Sequence, residues 1–156
     1  MSNTEHLKSL GKKVDYAFNY NANLLEKFES DVKNSMLVTL DAFEFSTLCP
    51  ITSQPDFAKI VISYVPNKYM VESKSLKLYL FSYRNEGNFH EQVVNTILND
   101  LIALLDPNYI EVVGNFNSRG GIAIRPFACY AKEGTQFEGW KEKRMQAFAD
   151  SVIKLN

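Results

Sequence analysis

The sequence predicts an α+β domain with a largely antiparallel sheet. Three observations lead there. Runs rich in β-branched, apolar and aromatic residues (Lys59 to Val65, Ser75 to Tyr83, Tyr109 to Phe116, Ile122 to Tyr130) read as strands. One stretch, Phe89 to Leu105, instead repeats its apolar residues at i, i+4. The resulting order, β, β, helix, β, β with flanking helices, is broken by no internal repeat or low-complexity linker in 156 residues.

Taken along the chain, residues 1–13 form a polar, lysine-bearing and loosely held arm, and residues 14–156 a single domain. Asn21 is a candidate N-cap for a short helix to Phe28, with Leu24, Leu25 and Phe28 at helical spacing. Met36 to Thr39 is strand-like, and Asp41 to Pro50 reads as irregular. Lys59 to Val65 is a strand apolar on both faces, stopped by Pro66-Asn67. In the expected strand Ser75 to Tyr83, Leu76, Leu78 and Leu80 line one face and Lys77, Tyr79, Phe81 and Tyr83 the other. Asn85-Glu86-Gly87-Asn88 is a turn cluster, with Asn88 a candidate N-cap for the long helix that Asp106-Pro107-Asn108 ends. Ser118-Arg119-Gly120-Gly121 separates the last strands, and Trp140 to Ile153 reads as a closing helix.

Composition narrows the function. A formal charge of −1 gives no footprint for nucleic acid or a membrane surface. No apolar run reaches the roughly 20 residues of a spanning helix. The start, Met1-Ser2-Asn3-Thr4-Glu5-His6, has no signal-peptide pattern, and the cysteines Cys49 and Cys129 make no disulfide framework, so a reducing cytoplasm is expected. His6, His90 and two distant cysteines offer no metal-ligand spacing, and no metal is expected.

The chemistry-bearing residues start at Cys49. A thiol beside a proline turn at an element boundary suits a nucleophile; equally, free cysteine is often a small buried hydrophobe. Asp56, seven residues on, is a proton donor if buried, or the N3 residue of a capping box begun by Ser53, the reading its spacing favours. His90 is a proton shuttle or a first-turn helix residue. Glu91 is a helix-start carboxylate able to accept two N–H bonds, or the N3 partner of Asn88. Lys74, Lys77 and Arg119 are solvated surface and turn residues, or together a grip for phosphates. No Gly-x-Gly-x-x-Gly follows any strand, which excludes a Rossmann site. Cys129 reads as core. These residues alone reach a cytosolic α+β enzyme with a thiol nucleophile, an acidic partner and possible phosphate contacts.

Two motifs carry a resemblance. Cys49-Pro50-x-Thr52-x-Gln54-Pro55-Asp56 and Glu72-Ser73-Lys74-Ser75-Leu76-Lys77-Leu78-Tyr79 resemble the nitrile reductases of queuosine biosynthesis, the NADPH-dependent 7-cyano-7-deazaguanine reductase family, in its short single-module branch. Phe89-His90-Glu91 and Arg119-Gly120-Gly121 match downstream, and the likeness runs from about residue 14 to 144. It implies the tunnelling fold: an antiparallel sheet with helices on one face, closing into a barrel as a homo-oligomer of stacked pentamers forming a decamer, with active sites between subunits. It implies a Cys49 thioimide, Asp56 as proton donor, and His90 assisting proton transfer. It further implies that Val71, Glu72, Ser73, His90 and Glu91 hold 7-cyano-7-deazaguanine, and it leads to the expectation that Lys74, Lys77 and Arg119 contact NADPH phosphates. The partner is this small molecule, with no direct contact to nucleic acid or membrane. Arg125 stands where the family more often has an acidic residue. The alternatives are the amidine-forming relatives, which use ammonia or an amine and lack the lysine-bearing motif, and a non-catalytic purine-binding oligomer. GTP cyclohydrolase I shares the fold but needs zinc ligands this chain lacks.

Overall fold

The computed structural model describes residues 5–152 apart from Leu10, Lys12, Val14 and Val32. A four-stranded antiparallel sheet runs in the order β2 (Val38–Leu48), β3 (Pro55–Val65), β5 (Tyr109–Phe116), β6 (Phe127–Ala131). A small ribbon pairs β1 (Lys27–Glu29) with β4 (Tyr69–Val71). Between β4 and β5 come α1 (Ser73–Phe81), a 3-10 turn (Ser82–Asn85) and α2 (His90–Leu105); α3 (Trp140–Val152) follows β6. Among the described residues no helix is long and apolar enough to cross a membrane.

The sheet has two unlike faces. Ile60, Ile62 and Tyr64 stand opposite Gly114, Val112 and Ile110 on one side, and all six are buried. Over them lie Leu76, Tyr79, Leu80 and Tyr83 from the α1 region and Val93, Val94, Ile97, Leu98, Leu101 and Leu105 of α2, forming the core. Fully burying a side chain of this size stabilises by roughly 1.5–3 kcal/mol. The opposite face is covered by α3 only toward β6: Arg144 meets Glu111 at 2.7 Å, and Phe148 stacks on Phe127.

The helix α2 follows the predicted spacing closely, because i, i+4 stripes bury one side and expose the other. Its N-cap is Phe89, not Asn88, and no side chain caps it; the Asn88 N–H instead donates to the Leu48 carbonyl.

Several expectations are corrected. Ser75 to Tyr83 is not a strand. The alternation of Leu76, Leu78 and Leu80 mimics a strand, but Leu76, Tyr79, Leu80 and Tyr83 also repeat at helical spacing, and leucine and lysine are strong helix formers. The deciding group is Glu72, whose carboxylate accepts the N–H groups of Lys74 (2.9 Å) and Ser75 (2.7 Å) and starts α1. Asp41 to Leu48 is not irregular; it belongs to the 11-residue β2. Ser53 to Asp56 caps no helix: Pro55 and Asp56 open β3, and Ser53 takes φ 55° in the hairpin loop before it. The helix begun by Asn21 is one 3-10 turn, Ala22–Leu24, after which the chain enters β1. The last strand is shorter than expected, Phe127–Ala131. Trp140 does begin a closing helix, although Ile153 lies outside the described residues.

The described part of the N-terminal arm is docked rather than loose. Leu7 and Ser9 are buried, the Lys8 and Ser9 N–H groups donate to the Glu26 carboxylate at 3.0 and 3.2 Å, and Lys74 donates to the Ser9 carbonyl at 2.6 Å.

A bulge in β2 decides which of its side chains face the helices. Ala42 pairs with Ile60 and Phe45 with Ala58, so three steps on β2 match two on β3. One extra residue reverses the alternation: Val38, Leu40 and Ala42 face the helices before it, and Phe45 and Thr47 do so after it.

Candidate active site

Thr47 pairs with Asp56, so both continue the helix-side face to the end of the sheet. Cys49 follows on the same alternation, just past β2. Its N–H donates to the Gln54 carbonyl (2.8 Å) and its carbonyl accepts the Ser53 N–H (2.9 Å), closing the loop 50–54. A second segment clamps this end. The Glu86 carbonyl accepts the Leu48 N–H (2.8 Å) and the Thr47 hydroxyl (2.6 Å), and Gly87 bridges to Leu48. The clamp leads directly into α2, so His90 enters from the helix side.

Inside the loop the thiol of Cys49 meets donors. The Thr52 hydroxyl and N–H, the Arg119 guanidinium and the Ile51 N–H all bond to it, and together they pull the thiol down to about 6. Shielding from water pushes it up, but by less than these donors pull it down. Successive N–H groups turned on one atom form an anion-binding nest, and a sulfur in it is a thiolate at neutral pH.

Arg119 is delivered by a tight hairpin. Arg119 and Ile122 exchange both backbone hydrogen bonds at 3.0 Å around Gly120 (φ 58°) and Gly121 (φ 82°), a pair of positive φ values that favours glycine. Its Nε forms an ion pair with Asp56 Oδ1 at 2.9 Å. The other oxygen, Oδ2, lies 3.1 Å from His90 Nε2, yet the two are not aligned for a hydrogen bond. Oδ2 and both ring nitrogens of His90 are therefore buried with no hydrogen-bond partner among the described residues. The His90 ring is held by stacking on Phe116, with centroids 3.8 Å apart and planes 6° from parallel. Buried polar atoms without partners are costly in a folded protein and mark where a polar ligand fits. Thiolate, carboxylate and imidazole thus converge on one place, the constellation for adding a nucleophile to an unsaturated carbon and moving a proton.

The other predicted site residues are distributed differently. Glu91 is exposed in the first turn of α2, next to His90. Val71 and Glu72 are buried, and Ser73 is exposed, at the start of α1. That is the far end: α1 has 9 residues and the 3-10 turn after it 4, a rise of roughly 20 Å between Glu72 and the Glu86 clamp. Within one chain, Val71, Glu72 and Ser73 do not reach Cys49. Lys77 projects from α1 over the Tyr16 ring and, with Arg84, Ser73, Phe81 and the edge of β2, lines a cavity of about 710 Å³. Cations beside aromatic rings in a space of that size suit a nucleotide cofactor. Lys74 is bonded to Ser9, and Arg119 lies with Cys49, so the three basic residues are not gathered on one chain. Cys129 is half-buried on β6, its thiol pushed up chiefly by burial and then by Glu111. Arg125 is exposed. Among the described residues no group of His, Cys, Asp and Glu is arranged to hold a metal.

Sequence reasoning missed Phe116, the Leu48–Gly87 clamp and the Arg119–Asp56 pair. Only Thr52 carried a signal, through its place in the cysteine motif.

Known proteins resemble this chain. A family profile described as "QueF-like protein" matches residues 55–135, a span that holds Asp56, His90, Glu91 and Arg119 and begins after Cys49. A curated protein of Helicobacter pylori (strain P12), named NADPH-dependent 7-cyano-7-deazaguanine reductase, is 60% identical over 90% of this chain and 94% of its own length. Proteins of the same name from Helicobacter acinonychis (strain Sheeba) and Alkaliphilus metalliredigens (strain QYMF) are 57% and 55% identical, over 93% and 85% of this chain and 97% and 81% of theirs. Among solved structures, the archaeosine synthase QueF-Like in its apo form superposes with a TM-score of 0.59 at 23% identity, covering 64% of this chain and 98% of that one; this likeness is one of fold.

Proposed function

Because the chain belongs to the QueF-like protein family, with relatives over nearly its whole length named NADPH-dependent 7-cyano-7-deazaguanine reductases, we propose that it reduces the nitrile of 7-cyano-7-deazaguanine to an aminomethyl group through a covalent Cys49 thioimide. The chain is an NADPH-dependent oxidoreductase. We place the reaction in queuosine biosynthesis, hence in tRNA modification, and in the cytoplasm. The observation that carries the reading is the nested Cys49 sulfur beside a buried carboxylate and imidazole whose polar atoms have no partner.

The chemistry follows from these atoms. The Cys49 thiolate adds to the nitrile carbon, and the electron pair moves to nitrogen. The proton that nitrogen needs is held in the His90–Asp56 pair, and Asp56 Oδ2, the oxygen not tied to Arg119, delivers it. A C–S bond and an N–H bond form, and nothing leaves. NADPH, when bound, would supply hydride; a nitrile needs two to become an amine, so two NADPH are consumed, and the Cys49 C–S bond breaks between the two additions, returning the thiolate. Lys77, at the cavity beside α1, and Lys74 offer charge for its phosphates. Glu91, beside His90 and unpaired with any cation among the described residues, accepts the N–H edge of the base.

The site is completed by assembly. Val71, Glu72 and Ser73 belong to the pocket but sit at the other end of α1, so a neighbouring copy supplies them. The Glu72 carboxylate is spent on the first turn of α1, which leaves its backbone and the exposed Ser73 for the ligand. Ile51, Phe89 and Ile122, exposed next to the cysteine loop, His90 and the Arg119 turn, form an apolar rim suited to a second subunit. A homo-oligomer of stacked rings is the form we assign.

Intact-mass measurement tests the core of this. Incubation with 7-cyano-7-deazaguanine and no NADPH raises the subunit mass by one whole ligand; NADPH then discharges the adduct and is oxidised. The thiolate is the reactive form and its pKa is depressed, so the adduct rate climbs as pH rises through about 6 and levels off above. Cys49→Ala gives no adduct, and Asp56→Asn forms it more slowly. An adduct that ignores NADPH but is released by ammonia assigns the amidine-forming reaction instead; an adduct on Cys129 refutes the mechanism.

A further inference from the structure

We infer that Arg119 belongs to the reacting centre itself: its guanidinium stabilises the Cys49 thiolate and fixes which Asp56 oxygen handles the proton. This rests on nitrile reduction at Cys49 and deepens it, and it departs from the expectation that Arg119 grips a cofactor phosphate.

The geometry is specific. The guanidinium is one plane with donors on several edges, so it can engage two acceptors at once without being deprotonated. Nε lies 2.9 Å from Asp56 Oδ1 in an ion pair, and the same guanidinium is among the groups that lower the Cys49 thiol. Asp56 is almost fully buried, while the Arg119 side chain remains about a third exposed. The carboxylate is therefore fixed by its surroundings, and Arg119 reaches in to it from the rim. Oδ1 is thus the oxygen in the ion pair with Arg119, and Oδ2, without a hydrogen-bond partner among the described residues, is the atom beside His90. The hairpin serves this placement: Gly120 and Gly121 turn the chain within two residues, which puts Arg119 at the start of the turn and its side chain over the 50–54 loop.

The charged and titratable groups around the thiol come from four segments. Arg119 faces it from the hairpin. Asp56 on β3 and His90 on α2 lie one contact further. Glu86, on the clamp beside β2, accepts the Tyr20 N–H at 2.8 Å and is not among the groups that shift the thiol. Arg119 is thus the single full positive charge bonded to Cys49 among the described residues, its other donors being the neutral Thr52 and Ile51 groups.

The test reads the thiol without substrate or NADPH, so it stands whether or not nitrile reduction is the reaction. The ultraviolet absorbance of the thiolate is titrated with pH in the assembled protein, taking Cys49→Ala as the blank. The wild-type midpoint is expected near 6. Arg119→Met should raise it by roughly one pH unit or more, the usual effect of losing an adjacent opposite charge. Arg119→Lys, which keeps a charge but not the two-edged fork, should fall between them and covers the case in which the methionine variant fails to fold. In turnover, both variants should lose kcat at saturating NADPH, and more steeply below neutral pH. An unmoved thiol midpoint in either folded variant, with the loss confined to the KM for NADPH, overturns the inference and returns Arg119 to the cofactor.

Discussion

At the scale of single residues, His90 and Glu91 show how neighbours on one helix turn divide the work. His90 faces inward against Phe116 and Asp56, and Glu91 faces outward. A carboxylate that accepts two N–H bonds in a closed pocket contributes charge-assisted bonds of about 1.5–3 kcal/mol each. Glu91→Gln replaces one acceptor by a donor facing a donor. Calorimetry of 7-cyano-7-deazaguanine binding should show affinity falling by at least tenfold, with the melting temperature unchanged; undiminished binding makes Glu91 a surface helix residue only. Cys49, Asp56, His90 and Glu91 were visible in the sequence because their motifs are local. Arg119 was visible as a basic turn residue, but its pairing with Asp56 was not. That contact joins a hairpin tip to a strand start far away in the chain, and no spacing rule encodes it.

At the scale of elements, position depends on backbone approach. Gly87 is where the clamp meets the cysteine loop: a Cβ there would lie 3.2 Å from the Pro50 Cα. Neither partner is a flexible side-chain end, so the loop must give by a few tenths of an ångström. Gly87→Ala is expected to lower kcat several-fold and slow adduct formation at Cys49, while circular dichroism and substrate affinity stay close to wild type. Full activity in that variant shows that the loop has slack. The same scale explains what the sequence conveyed of the fold. Helix α2 was legible because its apolar stripe has one period and no competitor. Helix α1 was not, since its leucines satisfy a period of two and its cap is a glutamate, a residue outside the usual capping set. The long strand β2 was hidden by its own bulge, which breaks the alternation that identifies a strand. Without that extra residue Cys49 would fall on the opposite face from His90, so the feature that obscured the strand also aims the thiol.

At the scale of the whole molecule, the assembly we propose gives one chain two half-pockets, one at each end of α1. Cys49, Asp56, His90 and Arg119 make one half, and Val71 to Ser73 the other. This division has a genetic consequence. Substitutions in the two halves belong to different complementation groups, although they lie in one gene product. Cys49→Ala chains keep a sound Ser73 end, and Ser73→Tyr chains, blocked by bulk at an exposed position, keep a sound thiol. Each alone should be inactive. Co-expressed, they should regain activity, because a thiol from one chain meets an intact Ser73 from the other. Cys49→Ala paired with Asp56→Asn, both in the same half, should regain none. Mixed assemblies that stay silent in the first pairing would mean that each chain builds its pocket alone.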